Sequence, residues 1–301
     1  MRKDFKLNYK KLDFKNLTYG CELEIADCDT RIKLPKGKWD YRDGSIGNSN
    51  GIANDPKKKF NIYGGEINTD PTYTIKEQLQ QIKEIYKALG KYSFNHTTNL
   101  HIHVRVPGLS NYLDAIKKLQ SYIFKYGKDM LNYIEPIPEA DRKLKGNDYE
   151  LAKRRERRRR KSHHWMISEN VYNKLMNSKT IDEFFESYYP KTKDGKLNYA
   201  GAARAAINLS QLKETDTVEF RHFTCSDNLE ELKDSFWFCK KFMIHGLTDW
   251  KNPIEIFKEG KYKFTPFCEF NPFIEDLFLK TSTLHNKKQD IIKVIEKLKE
   301  N

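Results

Sequence analysis

Three short stretches of this 301-residue sequence set carboxylates, imidazoles and guanidinium groups two residues apart. They are Glu22 and Glu24 in GCELEIA, His101, His103 and Arg105 in LHIHVRV, and Glu219 and Arg221 in TVEFRHF. A spacing of two is the period of a β-strand, whose alternate side chains point the same way and stand roughly 6–7 Å apart. The residues between them are apolar: Cys21, Leu23 and Ile25; Leu100, Ile102 and Val104; Val218 and Phe220. Each stretch therefore pairs a core face with a face of Glu, His and Arg. Carboxylates and imidazoles hold divalent cations, and guanidinium forks hold phosphate oxygens. The plain alternative is a wet sheet face, but wet faces mix Lys, Thr, Ser and Gln, and these do not.

The pieces differ in specificity. Glu-x-Glu is common on strands, and Glu-x-Arg can be an ordinary cross-strand ion pair. His-x-His also occurs in metallohydrolases, and otherwise as two surface histidines. Gly64-Gly65-Glu66 adds a carboxylate after a glycine pair able to form a bulge and re-aim it. Asp43-Gly44-Ser45 reads as a turn, raised only by its place in the set.

Elements must position these faces. Residues 19–26, 100–106 and 217–223 alternate as half-buried strands, and 60–68 does so less cleanly. A helix is expected over 75–89, opened by the Thr74/Glu77 capping box and stopped by Gly90. Another follows Ser110, with Leu113, Ile116, Leu119 and Ile123 on one side. Asn228 with Glu231 and Thr180 with Glu183 open two more. Residues 140–165 form a charged insertion, and the tail beyond Trp250 ends in a charged helix near 287–299. The domain reading is a catalytic unit over 1–250 carrying that insertion, with an extension over 251–301 packed on the core.

At 38% hydrophobic and 13% aromatic residues the chain has material for a packed core. No apolar run is long enough to span a membrane, and no hydrophobic signal segment follows the basic N-terminus. Five cysteines at scattered positions point to reduced thiols and a cytoplasmic location. From Lys153 to Lys161 the sequence reads KRRERRRRK, which supplies +7 of the formal charge of +13. The charge thus marks one local patch, with a nucleic acid or other polyanion as its expected partner and a solvated loop as its plain reading.

Gly20-Cys21-Glu22-Leu23-Glu24, Asp43-Gly44-Ser45, Gly65-Glu66-Ile67, Leu100-His101-Ile102-His103-Val104 and Thr217-Val218-Glu219-Phe220-Arg221 occur here in the order seen in amidoligases. Ala203-Arg204 and Ile207-Asn208-Leu209 resemble the segment preceding the family's Glu-x-Arg strand. The resemblance, to amidoligases of the glutamine synthetase and glutamate–cysteine ligase superfamily, covers roughly residues 17–245. It implies an α+β fold: a curved, mainly antiparallel sheet with helices on its apolar face and the active site on its polar concave face. It further implies ATP and Mg²⁺ or Mn²⁺. Glu22, Glu24, Glu66 and Glu219 would be metal ligands, and His101 and His103 would bind metal or an ATP phosphate. Arg221, with Glu219 beside it, would act on the phosphoryl group in flight, and Arg204 would be a second phosphate or substrate contact. Arg105 and Asn208 would lie on the nucleotide side. The basic block and the C-terminal tail fall outside the family pattern.

Such a site suits an ATP-dependent ligase that activates a carboxylate as an acyl phosphate and passes it to an amine. The sequence lacks GxxxxGK[ST], which excludes a P-loop as the ATP cradle. Two other classes compete. A metal-dependent hydrolase using His101 and His103 leaves Arg221 and four glutamates over-supplied. A non-catalytic nucleic-acid-binding protein using the basic block leaves the ordered acid and histidine faces unexplained. Cys21, on the apolar side of its strand, is a poor nucleophile.

Overall fold

The computed structural model describes residues 12–40, 46, 64–94, 98–134, 167–188 and 205–260. Residues 43–45, Arg204, the basic block at 153–161 and the C-terminal helix expected near 287–299 lie outside them, as does the start of the stretch expected over 60–68.

The element order is β1 (Thr18–Ala26), β2 (Lys38–Asp40), β3 (Gly64–Asn68), α1 (Ile75–Leu89), β4 (Asn99–Arg105), α2 (Leu113–Ile134), α3 (Glu169–Asn177), α4 (Ile181–Tyr188), β5 (Ile207–Asn208), β6 (Val218–Thr224), α5 (Leu229–Leu247) and α6 (Pro253–Gly260). The six strands form one sheet in the order β2-β3-β1-β4-β6-β5, and every pairing is antiparallel. The fold is α+β. Leu23, Ile25, Leu100, Ile102, Val104, Val218 and Phe220 are fully buried on one face of the sheet. That face carries the helices: α5 lies between α1 and α2 and packs on β4, while α1 packs on β1.

Helix α1 has the expected bounds. The Thr74 hydroxyl accepts from the Glu77 backbone N–H, the Glu77 carboxylate accepts from the Thr74 N–H, and Gly90 closes the helix at φ 69°. Its buried stripe of Ile75, Ile82, Ile85, Tyr86 and Leu89 follows the helical period. Gln78 is also buried, bonding Thr69 at 2.6 Å beside Cys21, so α1 is tied to β1 by polar as well as apolar contacts. Helix α5 starts at Asn228 as expected, although the Asn228 side chain accepts from Glu230 and donates to Glu231, which differs from a capping box. On α2, neighbouring lysines cap two other helices. Lys117 donates to the carbonyls of Met176 and Ser178 at the end of α3, and Lys118 donates to the carbonyl of Thr248 at the end of α5.

Two details of the sheet depart from the sequence reading. The glycine pair makes no bulge, because β1 and β3 run in continuous register through Glu24↔Glu66, Ile25↔Gly65 and Ala26↔Gly64. Gly64, at φ 128°, instead lets the chain pass the Ile25 carbonyl, which a Cβ would approach to 2.1 Å. The bulge lies on β6. Leu100 pairs with Phe223 and Ile102 with Phe220, so Arg221 and His222 together stand opposite His101. Phe220 and Phe223 thereby both reach the core. Strict alternation would have sent Phe223 to the polar face.

Candidate metal and phosphate site

The ladder decides which polar side chains meet. Glu22 is opposite His101, Glu24 opposite Glu66, His103 opposite Glu219, and Glu219 opposite Asn208. Four elements unrelated in sequence so bring five expected residues into one cluster. Glu22, His101 and Glu219 offer ligand atoms that all lie within 4.8 Å of one another, as do Glu24, Glu66 and His101. His101 belongs to both groups and is the pivot. Despite lying on the polar face, Glu24 is 2%, His101 2% and Glu219 1% exposed.

Hydrogen bonds fix the orientation. His101 Nδ1 lies 2.6 Å from Glu22 Oε2, and His103 Nε2 lies 3.1 Å from Glu22 Oε1. A carboxylate can only accept, so both of these ring nitrogens carry protons. His101 then turns Nε2 toward Glu24, 3.7 Å from Oε1. An imidazole held by a carboxylate through one nitrogen and presenting the other is the arrangement that metal-binding histidines use. His103 also shares a hydrogen bond with Thr217 at 3.1 Å. On Glu219, Oε2 accepts from Asn208 at 2.9 Å and Oε1 accepts from Arg221.

Burial pushes the Glu22 carboxyl up, but the hydrogen bonds and charge of His101 and His103 hold it well below its usual range. Burial pulls His103 down, and the Glu22 hydrogen bond together with Glu22 and Glu219 raises it overall. Arg221 is likewise pulled down by burial and raised overall by Glu219, Glu22 and Glu24.

The donor set fits a divalent cation. Among the described residues, Glu22, Glu24, Glu66 and Glu219 crowd around one imidazole, with Arg221 as the guanidinium in their midst. Buried carboxylates this close require positive charge between them. The buried Nε of Arg221 has no hydrogen-bond partner among the described residues, although its Nη1 is held by Glu219. A buried guanidinium with one edge unmatched suits a phosphate oxygen.

Arg105 is placed elsewhere. Its Nε donates to Asp216 Oδ2 at 2.8 Å, at the end of β4 beyond His103. Several contributors were missed. Asn99 donates both its backbone N–H and its side-chain amide to Glu24 Oε2, at 2.7 and 2.8 Å, and Asn68 donates to Glu66 at 3.2 Å. Carrying the alternation one step beyond His101 and Glu66 reaches both. Asp216, held in left-handed backbone at φ 57°, gave no such signal.

The fold and cluster define an α+β protein with a buried acid and imidazole face on an antiparallel sheet. The family model described as "Putative amidoligase enzyme" matches residues 24–243. The chain belongs to this amidoligase family. No curated protein matches the sequence. Among solved structures, the chain is similar to the crystal structure of a bifunctional glutathione synthetase from Pasteurella multocida, with 13% identity and a TM-score of 0.41. That match covers 82% of this chain and spans 40% of the other.

Proposed function

We propose that this chain is an ATP-dependent ligase that joins a carboxylate to an amine. Family membership supports ligase chemistry. The observation that carries the site assignment is the cluster around His101, where acids from three other strands converge on one buried imidazole. In this reading Glu22, Glu24, Glu66, His101 and Glu219 hold Mg²⁺ or Mn²⁺, with His103 beside them. The ions supply charge neutralisation for the triphosphate of ATP.

The chain's own residues have separable tasks. Glu22 orients both imidazoles. Asn99 and Asn68 aim Glu24 and Glu66 by holding one oxygen of each. Asn208 and Arg221 hold the two oxygens of Glu219, and Arg221 offers its guanidinium to a phosphate. A positioned cation of this kind lowers a phosphoryl-transfer barrier by about 3–4 kcal/mol. An acyl phosphate as the activated form of the acid, Arg204 as a second anion contact, and Asn208 on the nucleotide side complete the scheme.

The same proposal takes the sheet as curved and glutamine synthetase-like, with the site on its concave side. It takes residues 1–250 as the catalytic unit, 140–165 as an insertion whose basic block docks a polyanion, and 251–301 as an extension. The test is phosphate release from ATP with Mg²⁺ or Mn²⁺ across panels of amino acids, peptides and nucleic acids. Turnover that requires both an acid and an amine is expected. Absence of turnover and of nucleotide binding across the panel overturns the ligase, and hydrolysis without nucleotide would favour a metallohydrolase.

A further inference from the structure

A cavity of about 460 Å³ adjoins the cluster on the side away from Glu24. Glu22 and His103 line one end of it and Thr18 and Arg105 the other. This volume is within the range of small-molecule sites. The strand rows set its length: Glu22 pairs with His101, Gly20 with His103, and Thr18 with Arg105. Alternate residues on one strand face stand roughly 6–7 Å apart, so Arg105 lies about that far along β4 from His103.

Two features of this hollow are not explained by packing. Gly20 sits inside β1 on the polar face, where glycine weakens a strand. Its backbone needs no glycine, and a Cβ there would meet only Thr69 Oγ1, at 3.9 Å. No neighbouring backbone requires the space that Gly20 leaves in the floor. Tyr73, 73% exposed, also lines the hollow, and its segment is pinned by the paired backbone bonds between Tyr19 and Thr72. A large exposed aromatic on a fixed backbone makes a wall for a ligand at little entropic cost.

Arg105 supplies the charge. Asp216 engages its Nε, and Asp216 is itself held by the Ser110 backbone N–H at 3.3 Å. This fixes the plane of the guanidinium and leaves its Nη edge to form a fork with a carboxylate. We propose that the hollow seats a small substrate whose spectator carboxylate is held by Arg105, with its reacting group about 6–7 Å away at His103 and Glu22. The substrate class is therefore a short bifunctional acid, of the size of a dicarboxylate or an ω-amino acid. The identity of the reacting end rests on the ligase reading; the seat for the spectator carboxylate does not.

The test titrates the full chain with α,ω-dicarboxylates from succinate to suberate and with their monomethyl esters. Binding is followed by the ligand's NMR signals, and Mn²⁺ binding is read by EPR on the same samples. Binding should peak at one chain length. Arg105→Gln should weaken it roughly ten- to a hundredfold, and Gly20→Val, which fills the floor, should abolish it with the circular dichroism spectrum unchanged. Equal affinity across lengths, equal affinity in either variant, or no dicarboxylate binding to the wild type overturns the seat. Mn²⁺ binding without dicarboxylate binding overturns this inference alone. Dicarboxylate binding without Mn²⁺ binding keeps the seat and overturns the metal reading of the neighbouring cluster.

Discussion

Glu22 and His101 face each other across the β1–β4 ladder, and their Oε2 and Nδ1 atoms are 2.6 Å apart. This contact ties two strands separated by a helix in sequence and fixes which nitrogen of His101 turns toward Glu24. It makes Glu22 the residue that orients the cluster. The other oxygen of Glu22 reaches His103 at 3.1 Å, so one carboxylate sets both imidazoles.

Phosphate release should separate Arg221 and Glu219 from the rest of the fold. Arg221→Ala and Glu219→Ala are each expected to lower ATP turnover by about a hundredfold or more. Arg221→Lys should not restore it, because an ammonium cannot hold Glu219 and a phosphate in one plane. Full activity in either alanine variant removes these residues from the site.

Metal affinity should depend on residues that touch the ligands as well as on the ligands. Glu24→Gln and Glu22→Gln should abolish tight Mn²⁺ binding measured by EPR. Asn99→Ala removes one of the two donors that aim Glu24 and should weaken binding roughly ten- to a hundredfold. Unchanged Mn²⁺ affinity in Asn99→Ala would show that Glu24 is not oriented through it.

The thiols give a test of the buried face. Burial raises Cys21 and Cys28 to about 12 and pushes Cys225 and Cys239 up as well. A thiol of that kind is ionised to roughly one part in ten thousand at about pH 8. None of the four described cysteines should therefore react quickly with Ellman's reagent in the native protein, whereas all five cysteines of the chain should react after denaturation. Two or more fast thiols would contradict the burial of at least one of Cys21, Cys28, Cys225 and Cys239.

Lys117 should matter to stability without being part of the site. Lys117→Met keeps the aliphatic stem but leaves the carbonyls of Met176 and Ser178 without their donor. A loss of roughly 1–3 kcal/mol in urea unfolding is expected, with Mn²⁺ affinity unchanged in the folded variant. A neutral result would mean that water replaces the ammonium at the end of α3.

Gly64 links backbone geometry to the site. An alanine there would place its Cβ 2.1 Å from the Ile25 carbonyl oxygen. Gly64→Ala should cost roughly 2–4 kcal/mol and displace Glu66 two residues on. Thermal unfolding and Mn²⁺ binding measured together check it, and an unaltered melting temperature would contradict the close approach.

Strand period and helix period alone determined a good part of this protein. The bounds of α1 follow from Thr74, Glu77 and Gly90, and the apolar sides of β1, β4 and β6 follow from alternation, because these features depend on neighbours within a few residues. Alternation also put Glu22, Glu24, His101, His103, Glu219 and Arg221 on polar faces. It could not say which would meet. That depends on register between strands far apart in sequence, set by the order β3-β1-β4-β6 and by core packing. Register brought Glu22 to His101 and Glu24 to Glu66, and took Arg105 to Asp216. The bulge at Arg221 and His222 was hidden for the same reason: it satisfies Phe220 and Phe223 at once, and their shared core exists only in the folded sheet.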